Sequence, residues 1–262
     1  HYAKNDGKLS LPSPEDVEPL ADNIIKDYIS EVCPFPAESM DNRLLHLYAR
    51  LRRLSLKMLH EILGEIRTGL FVPTYFEKGI GMREEGSLPP VRLTLEDGST
   101  VLLNGKIDRV DIYESDEKLY FRVVDYKSGK HTFSLDEVRS GMDIQLILYL
   151  FALSGAMPNA TPAGAQYLFA STEKGVTEIK RSGLILDEEV ISNAVNGQSE
   201  AVYSKGLTKQ TLDQMHQLQA EMQDAVLSVA RRILSGEAEK TPSEKACGFC
   251  PVRAECNRAY HK

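Results

Sequence analysis

The stretch GKIDRVDIYESDEKLYFRVVDYKSGK, from Gly105 to Lys130, decides the fold of this chain. It contains two runs rich in β-branched and aromatic residues on either side of a polar turn, a pattern typical of two paired strands. Each run carries an aspartate, Asp108 or Asp125, where the core of a sheet favours an apolar side chain. Because Asp125 and Lys127 are two residues apart, their side chains point to the same face of a strand.

The length of the turn decides whether Asp108 lies near Asp125. A loop formed by Ser115–Lys118 pairs Glu114 with Leu119 and places Asp108 directly opposite Asp125. A loop that is one residue longer would turn one strand over and separate the two carboxylates. We expect the register of the shorter loop, or a bulge that restores it.

When two carboxylates lie so near each other on a half-buried face, they repel each other unless a cation lies between them. Hard oxygen ligands beside an ammonium group favour Mg²⁺ or Mn²⁺. The alternative is a surface hairpin with scattered charges, which leaves an aspartate inside FRVVDYK without an explanation.

A buried helix is predicted after this hairpin. Ser134 is expected to cap it, and it should continue to about Leu153. The residues around Gln145 are apolar on all sides, which indicates burial. Gln145 and Tyr149 have the spacing that brings two side chains to one helix face. One interpretation is that both side chains face a functional site. The other is that Gln145 is a core residue hydrogen-bonded to the backbone and that Tyr149 only packs in the core.

Together, the pattern G-x-I-D-R-x-D, the strand end V-V-D-Y-K-S-G and a helix with Q-x-x-x-Y resemble the PD-(D/E)xK nuclease superfamily. Within it, the chain is most similar to the RecB-like nuclease domain of AddB-type helicase–nuclease subunits, over Asn42 to Asn257. The resemblance implies an α/β fold with a central mixed sheet flanked by helices, with additional long helices. It also implies that Gln145 and Tyr149 face the active site. The implied activity is a Mg²⁺-dependent exonuclease, which acts on DNA unwound by a helicase partner during double-strand-break repair and recombination.

The sequence therefore predicts a hydrolytic site. The metal ligands would be Asp108, Asp125 and the backbone carbonyl of Tyr126, which would hold one or two divalent ions. Lys127 would orient or activate the attacking water and stabilise the developing negative charge. The predicted catalytic residues are Asp108, Asp125, Lys127, Gln145 and Tyr149.

Near its end the chain carries C-x₂-C-x₅-C, formed by Cys247, Cys250 and Cys256. By spacing alone, three thiolates suit zinc or an iron–sulfur cluster, and both need four ligands. The resemblance implies that these cysteines bind a [4Fe–4S] cluster whose fourth cysteine comes from a segment before the nuclease core. Since the surroundings of Cys33 do not match that segment clearly, we expect the fourth ligand to be missing from this sequence, which would allow the cluster to be lost.

We expect three regions: residues 1–40 as an N-terminal helical segment, 41–240 as the nuclease core with packed helices, and 241–262 as a cysteine-containing tail. The sequence begins at His1 without an initiator methionine, which suggests a fragment of a longer protein. The resemblance places a further metal-binding histidine in a helix before this region. The residues around His1 do not match that motif.

Other elements are predicted from periodicity. A long helix should run from Asp41 to about Gly69, and its arginines and lysines form either a solvated face or a wall that follows phosphates. A strand near residues 74–81 carries Glu77, which would orient a water or pair with a neighbour. Another long helix is expected from Thr208 to Leu234.

The net charge of −7 argues against a general polyphosphate binder, although a divalent metal and a local basic groove are compatible with a nuclease. Neither a membrane-spanning run nor a signal segment is apparent, and the cysteine pattern indicates a reducing compartment, so we expect a cytoplasmic location. The expected partners are single-stranded DNA ends and the A subunit of a helicase–nuclease complex. A catalytically silent DNA-binding or scaffolding domain, a zinc-binding interaction module and a CRISPR-associated exonuclease remain alternatives.

Overall fold

The computed structural model describes residues 4–5, 8–9, 13–32, 42–115, 118–173, 176–196, 205–237, 239, 247–248 and 250–256. Its helices are α1 Pro14–Val32, α2 Asn42–Thr68, α3 Leu135–Arg139, α4 Gln145–Ala156, α5 Glu189–Asn196 and α6 Leu212–Leu234. Its strands are β1 Lys4–Asn5, β2 Lys8–Leu9, β3 Val72–Ile80, β4 Val91–Thr94, β5 Thr100–Leu103, β6 Gly105–Glu114, β7 Leu119–Lys127, β8 Ala160–Glu173, β9 Val176–Leu186 and β10 Leu207–Gln210.

A mixed sheet of six strands forms the centre of the described fold, in the order β10-β9-β8-β7-β6-β3. The β7–β8 and β9–β10 pairs are parallel, and the other neighbours in this sheet are antiparallel. Helix α4 packs against β7 and β8, whereas α2 contacts β9. The predicted α/β class with a central mixed sheet flanked by helices is confirmed.

The pairing of β6 with β7 has the predicted register. Glu114 lies opposite Leu119, so the turn is the four-residue loop Ser115–Lys118. The ladder ends at the pair Arg109 and Val124, and the next position of the same register would set Asp108 against Asp125. Buried side chains such as Val110 and Val123 fill the face of these strands below the carboxylates.

The single helix predicted from Ser134 to Leu153 is wrong. Two helices, α3 and α4, are separated by residues 140–144, where Gly141 and Asp143 have φ values of 78° and 49°. This left-handed conformation cannot continue a right-handed helix, so the chain turns. Among the described residues, the Ser134 side chain finds no capping partner.

The helix predicted to begin at Thr208 also starts later. Residues 207–210 form β10, which pairs in parallel with the end of β9. Helix α6 follows Thr211, whose side chain accepts a hydrogen bond from the Gln214 backbone while the Gln214 side chain accepts one from the Thr211 backbone. This reciprocal capping box fixes the helix start. The other predicted long helix matches α2 closely.

Helix α1 lies beside α2. The Arg52 side chain makes two hydrogen bonds to Asp22 on α1, of 2.5 and 2.6 Å. Another cation of α2, Lys57, donates to the backbone carbonyl of Thr177 on β9. For the other basic residues of α2, both predictions stay open: a solvated face or a wall that follows phosphates. In the part of the chain that the structure describes, none of the helices combines the length and apolar character needed to cross a membrane.

Candidate active site

Asp125 and Lys127 lie at the end of β7, in the middle of the sheet. Asp125 is 1% exposed, and its Oδ2 is 2.7 Å from the Nζ atom of Lys127. The alternation of side chains along a strand brings the two groups to one face, as predicted. The lysine side chain is 28% exposed, so its ammonium group is at the border between the core and solvent.

Gln145, the first residue of α4, joins these two groups. Its Nε2 donates to Asp125 Oδ1 at 2.8 Å, and its Oε1 accepts from Lys127 Nζ at 2.9 Å. The amide therefore bonds side chains of the strand rather than backbone, which rules out the alternative of a backbone-satisfied core glutamine. A helix that begins at this residue can hold the amide rigidly against β7.

Tyr149 lies one helical turn further and contacts the beginning of β6. Its hydroxyl accepts hydrogen bonds from Gln145 Nε2 at 3.1 Å and from the Lys106 backbone N–H at 3.3 Å. A Cβ atom added to Gly105 would lie 2.6 Å from Tyr149 Cε1, closer than side chains pack. The glycine therefore lets the tyrosine ring approach the strand.

Asp108 lies where β6 and β7 separate. The backbone ladder between these strands ends at the pair Arg109 and Val124. Two residues further along β7, the Tyr126 backbone N–H donates to Asp108 Oδ2 at 2.8 Å. Since the N–H and C=O of one strand residue point to the same side, the Tyr126 carbonyl faces the same gap as Asp108. The structure thus brings the three predicted metal ligands to one end of the strand pair.

The electrostatics of this end favour a cation. Burial raises the pKa of Asp125, the ammonium of Lys127 opposes that shift, and the negative charge of Asp108 adds to it. Asp125 Oδ2 is buried, and the Lys127 ammonium lies 2.7 Å from it. A second positive charge at this place would stabilise both ionised carboxylates.

The donor set fits Mg²⁺ or Mn²⁺. Asp108 and Asp125 provide two carboxylates, and Tyr126 provides one backbone carbonyl; in the described ranges no third His, Cys, Asp or Glu joins them as a metal-binding group. Mg²⁺ in proteins is commonly held by one or two carboxylates and keeps several waters. The residues present therefore match the predicted ion.

Glu77 does not join these ligands. It has a φ of 51°, and its carboxylate lies 3.1 Å from Lys106 Nζ with the glutamate side chain 65% exposed. Of the two predicted roles, pairing with a neighbour is the one that the structure shows.

A second polar cluster next to Lys127 was missed by the sequence analysis. We call His131, Asp143 and Tyr167 the polar clamp. The Tyr167 hydroxyl donates to Asp143 Oδ1 at 2.6 Å, and His131 Nε2 lies 3.2 Å from each Asp143 oxygen. The Lys127 Nζ atom lies over the Tyr167 ring, 5.1 Å from its centroid. The sequence signal was hidden because Asp143 falls inside what the periodicity predicts as a helix.

The opposite face of β6 and β7 holds a buried ion-pair network. Arg109 and Arg122 each bond Asp111 at 2.8 Å, and Glu65 of α2 lies 2.5 Å from Arg122. Arg181 of β9 also approaches Glu65, at 3.5 Å. The arginines hold the pKa of Glu65 at about 2, although burial alone would raise it. In the motif G-x-I-D-R-x-D, the arginine and the second aspartate therefore belong to this network.

The predicted iron–sulfur ligands are not assembled. Cys247, Cys250 and Cys256 are free thiols of intermediate exposure. All three are described residues, and they are not found as a metal-binding group. Cys33 lies outside the described residues, and the cluster stays a prediction.

A protein-family comparison matches residues 3–257 to the PD-(D/E)XK nuclease superfamily model. This chain belongs to the PD-(D/E)XK nuclease superfamily. The family resemblance seen in the motifs is thereby confirmed, and nucleases of this superfamily generally use divalent metal ions.

Curated relatives share one description, the B subunit of an ATP-dependent helicase/deoxyribonuclease. The protein from Clostridium tetani is 28% identical over 92% of this chain and 24% of its own length. That from Alkaliphilus oremlandii is 28% identical over 84% of this chain and 22% of its own. That from Moorella thermoacetica is 30% identical over 90% of this chain and 24% of its own. The chain thus spans about a quarter of the length of the curated relatives it matches.

Proposed function

We propose that this chain is the nuclease domain of an AddB-type helicase–deoxyribonuclease protein and that it hydrolyses DNA phosphodiester bonds. The observation that carries the proposal is the hydrogen-bonded group of Asp125, Lys127 and Gln145, with Asp108 opposite. Nuclease-superfamily membership and the names of the relatives support it.

Each residue of the candidate site has a separate chemical role in this proposal. Asp108, Asp125 and the Tyr126 carbonyl would hold Mg²⁺ or Mn²⁺, which supplies Lewis-acid polarisation and a lower pKa for water. The Lys127 ammonium, fixed at 2.7 Å from Asp125, orients the attacking water and stabilises negative charge that develops on the phosphate. Gln145 holds this ammonium through its Oε1. Tyr149 in turn accepts the hydrogen bonds that keep the amide and β6 in place.

The finer assignments belong to the same proposal. We expect exonuclease action on single-stranded ends, a helicase partner that is the A subunit of the same complex, a role in double-strand-break repair and recombination, and a cytoplasmic location. The names of the relatives support the partner and the DNA substrate. The proposed mechanism assigns no step to the [4Fe–4S] cluster predicted for Cys247, Cys250 and Cys256.

The test is cleavage of end-labelled single-stranded DNA by the purified chain, with Mg²⁺ or with a chelator. We expect degradation with Mg²⁺ only, and its loss in Lys127→Ala. Lys118→Ala is the matched control, because this exposed lysine lies at the other end of the same hairpin. Binding of DNA without cleavage under all these conditions would instead identify a catalytically silent domain.

A further inference from the structure

The polar clamp touches the candidate site through the Tyr167 ring. In the parallel pairing of β7 with β8, Tyr167 lies beside Asp125, and its side chain is fully buried. The Lys127 ammonium therefore has three neighbours: the Asp125 carboxylate, the Gln145 oxygen and the face of this ring. An ammonium over an aromatic face is attracted by the ring quadrupole.

The clamp also holds the beginning of α4. Asp143 comes two residues before Gln145 and has a φ of 49°, which a non-glycine residue rarely adopts. Such a conformation persists when its surroundings fix it, and it often marks functional sites. Here the Asp143 carboxylate, with its side chain 13% exposed, is bonded both to Tyr167 on β8 and to His131 in the loop after β7.

His131 completes this arrangement. Its ring contacts the Tyr167 ring edge-on at a centroid distance of 4.1 Å, while its Nε2 lies near both carboxylate oxygens. Burial and the hydrogen bond to Asp143 raise the pKa of Tyr167, so its hydroxyl remains a donor at neutral pH. The loop, the strand and the helix start are thus tied to one another at Asp143.

We infer that His131, Asp143 and Tyr167 are positioning residues that fix the Lys127 ammonium and the Gln145 amide for DNA hydrolysis. The inference rests on the proposed nuclease function and deepens it. Catalytic groups must be held to within a fraction of an ångström, so a small displacement of Lys127 lowers the rate of the chemical step more than substrate binding. A cluster that served only stability would leave the ammonium of the folded protein unchanged.

Two substitutions separate these roles. Tyr167→Phe keeps the ring and removes the hydroxyl that bonds Asp143. Asp143→Asn keeps the size of the side chain and removes its charge, and asparagine tolerates the left-handed backbone. Tyr120→Phe is the matched control, since this buried tyrosine donates its hydroxyl to Glu188, away from the site.

The kinetic result expected for Tyr167→Phe and Asp143→Asn is a kcat about 3- to 10-fold lower, with KM within about twofold of the wild type. Tyr120→Phe should match the wild type in both constants. A rise in KM alone, with kcat unchanged, would overturn the positioning role, because it would indicate a contact used only for substrate binding.

A second measurement does not depend on cleavage. The metal-free, DNA-free protein is treated with trace acetic anhydride at fixed pH, and acetylation of Lys127 relative to Lys118 is measured by mass spectrometry. We expect labelling of Lys127 to rise about threefold or more in Tyr167→Phe and Asp143→Asn as the amine loses its fixed surroundings. Unchanged labelling in folded Asp143→Asn would overturn the inference, and this variant decides the matter if Tyr167→Phe fails to fold. Absence of DNA cleavage by the wild type would count against the proposed function alone.

Discussion

On the side of the sheet toward α2, three arginines meet two fully buried carboxylates, whereas toward α4 two carboxylates meet one lysine. Both groups are formed largely by side chains of the same two strands, β6 and β7. In the first group the buried carboxylates have arginine partners, and these arginines lower the pKa of Glu65. The second leaves negative charge in excess at an open end of the strand pair, which favours the binding of a cation. The difference in charge balance separates a face that stabilises the fold from one suited to chemistry.

Asp125→Asn should break the chemistry and spare the fold. Losing one of two carboxylates that hold the cation should lower cleavage by about 10²- to 10³-fold or more. Because the pKa of Asp125 is raised, its charge is not well stabilised, and the free energy of unfolding should change by less than about 1 kcal/mol. Single-turnover cleavage and urea denaturation of the same preparation measure the two effects. A strongly destabilised variant would show that both faces serve stability.

Glu65→Gln should have the opposite effect: it should lower the free energy of unfolding and leave DNA cleavage unchanged. Removing its charge leaves the buried arginines with one carboxylate partner fewer, and breaking a buried pair of this kind costs about 3–5 kcal/mol of the free energy of unfolding. Cleavage per folded molecule at low temperature should stay near the wild-type value. Glu61→Gln is a suitable control, because this glutamate of α2 also bonds Arg181 but is 35% exposed. Equal losses of unfolding free energy in Glu65→Gln and Glu61→Gln would show that full burial of Glu65 does not matter.

The two faces should also respond to pH in opposite directions. Glu65 has a lowered pKa of about 2, so its contribution to stability is complete above 4.5, its ordinary value, and is lost as the pH falls toward 2. Asp125 has a raised pKa, so its contribution is largest at low pH and decreases as the pH rises through the folded-state value. Unfolding free energies between pH 2 and pH 7 for the wild type and both variants test this pattern. The Glu65→Gln difference should shrink on acidification, and a constant difference would refute it.

Gly105→Ala tests whether the close contact between Gly105 and the Tyr149 ring, on the side toward α4, is needed for cleavage. The new methyl group would collide with the Tyr149 ring and displace its hydroxyl from Gln145. We expect cleavage to fall by about tenfold, since positioning errors near 1 Å lower rates strongly. Gly155→Ala, near the end of α4, has open space around its Cβ and no positive φ, so it serves as the control without a new contact. A cleavage loss of equal size in both variants would argue against the ring contact as the cause.

Much of the strand pair could be predicted because its signals are local. The two-residue period places Asp125 and Lys127 together, and the turn length sets Asp108 opposite Asp125. The helical spacing of Gln145 and Tyr149 likewise puts them on one face. These rules need no knowledge of distant residues.

Other features depend on contacts between segments far apart in the chain. The break before α4 arises where Asp143 is bonded by Tyr167 and His131, and β10 forms because it can pair with the end of β9. Periodicity within one window contains neither partner. Both regions were therefore predicted as uninterrupted helix.

By itself, the sequence determined the sheet-forming hairpin and the acidic and basic groups that meet at its end, because strand period, turn length and helical spacing act over a few residues. The superfamily was indicated by the resemblance of the motifs to known nucleases, and the family comparison confirmed it. Only the tertiary structure decided which charges of G-x-I-D-R-x-D lie in the buried ion-pair network and which lie in the candidate site. It also decided that the polar clamp exists. Arg109 and Asp111 lie in the network around Glu65, which is distant in sequence. Tyr167 on β8 donates a hydrogen bond to Asp143 just before α4. The burial of each charged group and its bonding partner, rather than its residue type, therefore decide where it belongs.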